Sequence, residues 1–251
     1  MKKVFHPKYQ NFVLEIDSFI EDFDSSGEGI KDERNKLKLF QLNNTMVNIK
    51  SFKIPNLVNQ IVYKFFRKGK AQRSFEYAEK LKELRIGTPQ PIAYYENSTG
   101  LLFKRSFYVS DQLEYDLTYR ELSKNLDYPN HENILRAFTR FTYDLHEKGI
   151  HFLDHSPGNT LIIQRGNEYD FYLVDLNRMN FGTLDFETRI KNFARLTTHE
   201  SMVQVMSDEY AKSSGDDFQK IFELMWNATQ EFQYKFNRKK RLKKKLKFWK
   251  K

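Results

Sequence analysis

Hydrophobic and polar residues alternate over 36–41 (KLKLFQ) and again over 46–51 (MVNIKS), with Asn43 and Asn44 between the two runs. Alternation of this kind marks a half-buried strand, and asparagine suits a turn, so the stretch predicts a β-hairpin whose second strand carries Lys50. Upstream, FDSSGEGIKDE is turn-rich and holds Gly27 and Gly29. From Ala71 to Leu84 the period lengthens: Ala71, Phe75, Ala78 and Leu81 recur every three or four residues, which predicts an amphipathic helix. Gly87, Pro89 and Pro91 end it. PIAYYE and LLFKRSFYV flank the turn NSTG and predict a second hairpin. Ile134, Leu135, Phe138, Phe141 and Leu145 mark another helix, stopped by Gly149. A short apolar segment and a loop follow, then the strand-like runs TLII and FYLV joined by RGN, and residues 187–233 read mostly helical. A strand-rich first part with one helix, followed by a helix-rich part with a short hairpin, predicts an α+β fold of two lobes. The expected divisions are 1–105, 106–233 and a terminal segment 234–251.

Composition changes this picture mainly at that terminal segment. The 251 residues carry 42 Lys plus Arg against 33 Asp plus Glu, a formal charge of +9. Residues 234–251 (YKFNRKKRLKKKLKFWKK) hold 11 basic residues and no acidic ones, which leaves residues 1–233 at −2. The surplus is therefore local. A basic run binds anionic lipid or nucleic acid. Lipid is favoured here, because Leu242, Leu246 and Trp249 form a short apolar stripe in a helical tail, and Phe248 and Trp249 suit the headgroup region. No nucleic-acid partner is expected. The absence of cysteine excludes a disulfide scaffold, a thiol nucleophile and a Cys-ligated metal, and fits a reducing compartment. The start, MKKVFHPKYQ, lacks the apolar run of a secretory signal, and no stretch approaches the roughly 20 apolar residues of a membrane span.

The sharpest chemical signal is GIHFLDHSPGNTLI, residues 149–162. A loop after a helix presents Asp154 and, five positions on, Asn159; a two-strand hairpin then leads to Val174-Asp175. Such a hairpin is expected to return Asp175 beside Asn159, so that a carboxylate and an amide oxygen, both hard ligands, face one Mg²⁺ site. Asp154 stands apart, free to accept a proton from a hydroxyl. This is the division of labour that phosphoryl transfer requires. His146, His151 and His155 match no metal-ligand spacing with supporting carboxylates and read as packing or surface groups.

At these residues the chain resembles the protein-kinase-like superfamily, whose catalytic loop is Asp-x-x-x-x-Asn with a metal-binding Asp after a hairpin. Asp154-His-Ser-Pro-Gly-Asn159 has that spacing, and Asp175-Leu-Asn stands where Asp-Phe-Gly is usual. The resemblance implies a two-lobed kinase-like fold, with a nucleotide-binding lobe over 1–105 and the catalytic loop and acceptor site over 106–233. It implies that Lys50 is the lysine that grips the ATP phosphates, that Glu76 is its partner with Glu79 as the fallback, and that Gly27 and Gly29 belong to a phosphate-cradling loop. More narrowly, ERNKLKLF, VNIKSFKIPN, RKGKAQRSFEYAEKL, IGTPQPIAYYE, DHSPGNTLI and VDLNRMNF resemble the bacterial lipopolysaccharide core kinases of the Kdo/heptose group, over about residues 24–196. That group implies ATP- and Mg²⁺-dependent phosphorylation of a sugar hydroxyl on a lipid A–core precursor, at the cytoplasmic face of the inner membrane.

The sequence also departs from the superfamily pattern. Phe152 stands where the His of His-Arg-Asp is usual, Ser156 replaces the protein-kinase lysine, Asn177 replaces the glycine of the metal motif, and no Ala-Pro-Glu follows within 176–200. These changes point away from a protein substrate. They leave open a small-molecule or protein kinase with another acceptor, or a non-catalytic membrane- or nucleic-acid-binding protein on the same scaffold.

Overall fold

The computed structural model describes residues 1–32 and 35–248, with side chains placed over 1–30 and 35–244. Two compact units make up the chain: residues 1–114 together with 173–178, and residues 115–172 together with 179 onward.

The first unit is built on a six-stranded antiparallel sheet. In chain order its elements are β1 (Lys2–Phe5), a 3₁₀ turn (Pro7–Phe12), α1 (Val13–Glu21), β2 (Glu28–Asp32), β3 (Lys36–Leu42), β4 (Thr45–Phe52), α2 (Leu57–Phe65), α3 (Lys70–Glu83), β5 (Pro91–Thr99) and β6 (Leu102–Asp111). The strand order is β1-β5-β6-β4-β3-β2. Both expected hairpins are present as β3–β4 and β5–β6, and the expected helix from Ala71 is α3. Alternation along β4 sends Val47 and Ile49 to one face, where Ile16 and Ile20 of α1 pack with Phe23, Tyr95 and Phe107. Burying a side chain of this size contributes about 1.5–3 kcal/mol, which is how α1 is held on the sheet. The opposite parity of β4 carries Lys50 and Phe52 to the other face, where Phe52 and Tyr94 pack on Ala71 and Phe75 of α3.

The second unit begins with β7 (Leu117–Thr118) and α4 (Tyr119–Lys124), whose start is closed by a capping box between Thr118 and Glu121. It continues with α5 (His131–Glu147), β8 (Ile150–Phe152), β9 (Thr160–Arg165), β10 (Glu168–Leu173), β11 (Met179–Phe181), α6 (Phe186–Lys191), α7 (Glu200–Ser214) and α8 (Phe218–Phe248). Its core joins Ile134, Leu135 and Phe138 of α5 to Met202, Val203, Met206 and Tyr210 of α7 and Ile221 and Met225 of α8. Two small sheets, β10-β9-β7 and β11-β8, lie at the ends of the loop that carries Asp154. The chain is thus strand-rich in its N-terminal part and helical in its C-terminal part.

α8 runs without a break across residue 233. Ile221, Met225 and Thr229 are buried, whereas Tyr234, Phe236 and Leu242 are more than half exposed, so the basic segment emerges as the free end of a core helix. Trp249, part of the expected stripe, lies outside the described residues, as do the side chains of Leu246 and Phe248.

Candidate functional site

Lys50 sits in the middle of β4, opposite Tyr108 of β6. Its ammonium meets the Asp175 carboxylate at 2.7 Å and lies 5.4 Å from the Phe52 ring centre. Asp175 is brought there by a short excursion of the chain, 173–178, that belongs to the first unit. Two bonds tie its base: the Leu173 N–H donates to the Gly87 carbonyl (2.8 Å), and the Thr88 hydroxyl donates to the Leu173 carbonyl (2.9 Å). Asp175 itself takes a left-handed backbone, φ +59°. Such a conformation is costly for most side chains but tolerable for aspartate. The buried Asn177 supports it by donating its amide N–H to Asp175 Oδ1 at 2.5 Å. The departure at Asn177 thus has a physical role: it fixes the carboxylate two residues back.

The expected pair of Lys50 with Glu76 is not formed. Among the described residues the ion-pair partner of Lys50 is Asp175. Glu76 is gripped by Lys68, at 2.9 and 2.8 Å to its two oxygens, and by Gln72 one helical turn earlier at 2.8 Å. Glu79, the fallback, lies 3.9 Å from His6 Nε2. A local cation and amide reach Glu76, while Lys50 meets a carboxylate that arrives from 125 positions away.

The two glycines also sit elsewhere than a hairpin tip. Gly27 precedes β2 with φ +80°, and a Cβ there would stand 2.5 Å from the Phe40 ring, so glycine is required for the chain to enter the strand over that ring. Gly29 lies within β2, opposite Lys38, next to a bulge. The β2–β3 connection passes through Glu33 and Arg34, outside the described residues. In the structure Gly27 and Gly29 shape the strand entry and the bulge.

Asp154 and Asn159 belong to the second unit. The loop 153–159 is stapled from within: the His155 N–H reaches the Phe152 carbonyl (3.2 Å), the Asn159 N–H reaches the Ser156 carbonyl (2.9 Å), and the Asn159 amide donates to the Asp154 carbonyl (2.8 Å). That last bond commits the amide nitrogen, so the oxygen is the atom of Asn159 suited to a cation. Asp154 Oδ1 accepts from Arg195 Nη1 at 2.8 Å, and the same nitrogen donates to the Leu153 carbonyl at 3.0 Å. The Arg195 guanidinium also lies 5.3 Å from the Phe232 ring centre of α8.

Beneath Asp154 the loop is fastened by buried groups. His155 is fully buried between the rings of Phe138, Phe152 and Phe193. Asn192 donates to the Phe152 carbonyl at 2.9 Å, and its Oδ1 lies 3.3 Å from His146 Nε2. Burial pushes His155 down to about 3 and His146 to about 4, so both are neutral near pH 7. Neither Arg195 nor Asn192 was legible in the sequence. Each follows an ordinary short helix about 40 residues after its partner, and no local spacing marks it.

The first unit therefore holds a cation paired with an oriented carboxylate, and the second, by itself, holds a stapled loop with an oriented carboxylate and amide. Oxygen ligands, one lysine and a carboxylate suited to receive a proton are the groups that phosphoryl transfer uses. A family model described as "Lipopolysaccharide kinase (Kdo/WaaP) family" matches residues 55–220, a span that holds Asp154, Asn159 and Asp175. Among solved structures, "WaaP in complex with acyl carrier protein" matches with a TM-score of 0.64 and 14% identity, over 95% of this chain and 99% of that one. At that identity the likeness bears on the fold. No curated protein matches the chain.

Proposed function

Because the chain belongs to the lipopolysaccharide kinase (Kdo/WaaP) family, we propose that it phosphorylates a sugar hydroxyl, of Kdo or heptose, on a lipid A–core precursor, using ATP and Mg²⁺. The observation that carries this reading is the Lys50–Asp175 pair. A strand lysine and a loop carboxylate, far apart in sequence, stand 2.7 Å from each other, the carboxylate on a left-handed backbone and oriented by the Asn177 amide. A kinase-like two-lobed organisation is part of the same proposal, with the first unit holding nucleotide and the second holding the acceptor.

The donor set suits the implied group: a carboxylate on Asp175 and an amide oxygen on Asn159 are hard ligands of the kind Mg²⁺ prefers. Bound Mg·ATP supplies the phosphoryl group and its counter-charge. Lys50, which Asp175 positions at 2.7 Å, would hold phosphate oxygens of the nucleotide. Asn177 keeps Asp175 oriented through its amide. Asp154 receives the acceptor hydroxyl proton, and Arg195, which binds one of its oxygens, leaves the other for that task. The basic end of α8, residues 234–251, is proposed to hold the protein at an anionic leaflet, where a lipid-linked sugar is found. Loss of binding to anionic vesicles on removing 236–251 is the expected outcome, and unchanged binding would refute it. None of the helices, among the described residues, is long and apolar enough to cross a membrane.

The test is phosphoryl transfer from ATP to a Kdo- or heptose-bearing lipid acceptor. Asp154→Ala and Asp175→Ala should each lower turnover by at least about 10²-fold, the scale of a lost proton acceptor or metal ligand. Full turnover in both variants would overturn the assignment.

A further inference from the structure

The helix α2 carries its apolar residues outward. Leu57 (66% exposed), Val58 (71%), Ile61 (45%) and Phe65 (54%) lie along it, and Phe66 (82%) follows its end. A surface helix normally turns such a stripe toward the core. Here Leu57, Ile61 and Phe65, four residues apart, share one outward face, with Val58 beside them. The rim of this face is cationic. Residues 53–75 contain six basic residues and no acidic one, whereas the rest of 1–233 holds 25 basic and 33 acidic. Lys53, Lys64 and Arg67 are exposed, as is Lys68, whose ammonium is paired with Glu76 of α3. At the C-terminal end of α2, Lys64, Arg67 and Lys68 join Lys2, Phe65 and Phe66 around a cavity of about 400 Å³. The buried Glu96 also lines this cavity, and burial pushes its carboxyl upward, toward the uncharged form.

We propose that α2 and the segment through Lys68 form a lipid-docking surface of the first unit. The apolar stripe enters the headgroup–acyl boundary of an anionic leaflet, and the cavity beside it receives a lipid phosphate. Two features select a lipid over a protein partner. An exposed apolar stripe rimmed by lysines is the pattern of helices that lie in a membrane interface. A cationic cavity of small-ligand size touches that stripe, matching the joined phosphate and acyl parts of one lipid molecule. Position 66 is the most exposed of these residues and is the place to look.

The chain has no cysteine, so Phe66→Cys offers a single thiol for an environment-sensitive fluorophore on the full chain. Leu14→Cys, at an 85% exposed position of α1, serves as the control. With phosphatidylglycerol vesicles, the label at 66 should shift to the blue and be quenched by nitroxide-bearing lipid, while the label at 14 should not respond. The double variant Phe65→Ser/Phe66→Ser should bind these vesicles at least about ten-fold more weakly, the equivalent of two partly buried phenyl rings, with unchanged thermal unfolding. A label at 66 that stays silent while vesicles sediment the chain would overturn the proposal, since the basic end of α8 alone would then account for binding. Shielding of the label by a soluble acidic acyl-carrying protein, with no response to vesicles, would overturn it in favour of a protein partner. Vesicle binding is read without nucleotide or acceptor, so its failure leaves the kinase assignment standing.

Discussion

Replacing His155 by leucine should make the protein less sensitive to acid. In the folded chain burial holds His155 near 3 and His146 near 4, against an ordinary histidine value of 6.5. His146, His151 and Arg195 add to the depression at His155, and Arg189 and His151 do so at His146, where the Asn192 amide opposes it. Unfolded, each ring takes a proton as the pH falls through about 6.5. Folded, neither does until about 4 or below. In that window the unfolded state binds more protons, so the free energy of unfolding falls with pH, by up to ~1.4 kcal/mol per unit for each buried ring. Between pH 5.5 and 4.5 the two together cost about 2 kcal/mol. For a chain of this size that lowers the Tm by about 4–8 °C. The carboxyls of Glu96 and Asp111, which burial pushes upward, contribute with the opposite sign, so the informative quantity is the difference between two proteins. His155 is the cleaner substitution because neither ring nitrogen has a hydrogen-bond partner, and leucine leaves no polar group stranded. Thermal unfolding by circular dichroism from pH 7.5 to 4.5 should give His155→Leu the shallower slope, by close to one proton. Parallel curves for the two proteins would refute the reading of His155 as a neutral histidine of the core beneath Asp154.

Two further outcomes follow from the same geometry. Arg195→Ala removes a hydrogen bond to a charged carboxylate, a contribution of about 1.5–3 kcal/mol, and should lower kcat by about 10–100-fold with KM for ATP unchanged. Arg195→Lys should recover part of that loss, whereas reduced thermal stability with full turnover would show that Arg195 serves only the fold. Gly69→Ala would put a methyl 1.9 Å from Glu96 Oε1 and 2.9 Å from the Phe103 ring, both buried, and should cost about 1–3 kcal/mol. An unchanged Tm would show that Glu96 moves aside freely.

The parts of the chain that were legible from sequence are those whose signal is local. Alternation around Asn43 and Asn44, the 3.6-residue period from Ala71, and the run from Ile134 to Leu145 each state which face is buried, and the hairpins and helices formed there. The N-terminal elements β1, the 3₁₀ turn and α1 were not legible, because their apolar residues acquire meaning only against the sheet that Val47 and Ile49 complete. The outward stripe of α2 is not legible for the opposite reason: its apolar residues recur at a helical period, and periodicity alone does not say which way a stripe faces.

The candidate site divides in the same manner. The spacing of Asp154 and Asn159 is a property of one short loop, and the sequence alone determined it, along with the hairpin that leads to Asp175 and the confinement of the charge surplus to residues 234–251. Partner choice was decided only by the tertiary structure. Lys50 met Asp175, Glu76 met Lys68, Arg195 reached Asp154, and Gly27 and Gly29 went to a strand entry and a bulge. The physical reason is that an ion pair or a hydrogen bond depends on where a charged tip lies to within about an ångström. Over separations of 41 and 125 residues, that position is fixed by packing of the whole unit, whereas a turn or a helical face is fixed by the few residues that make it.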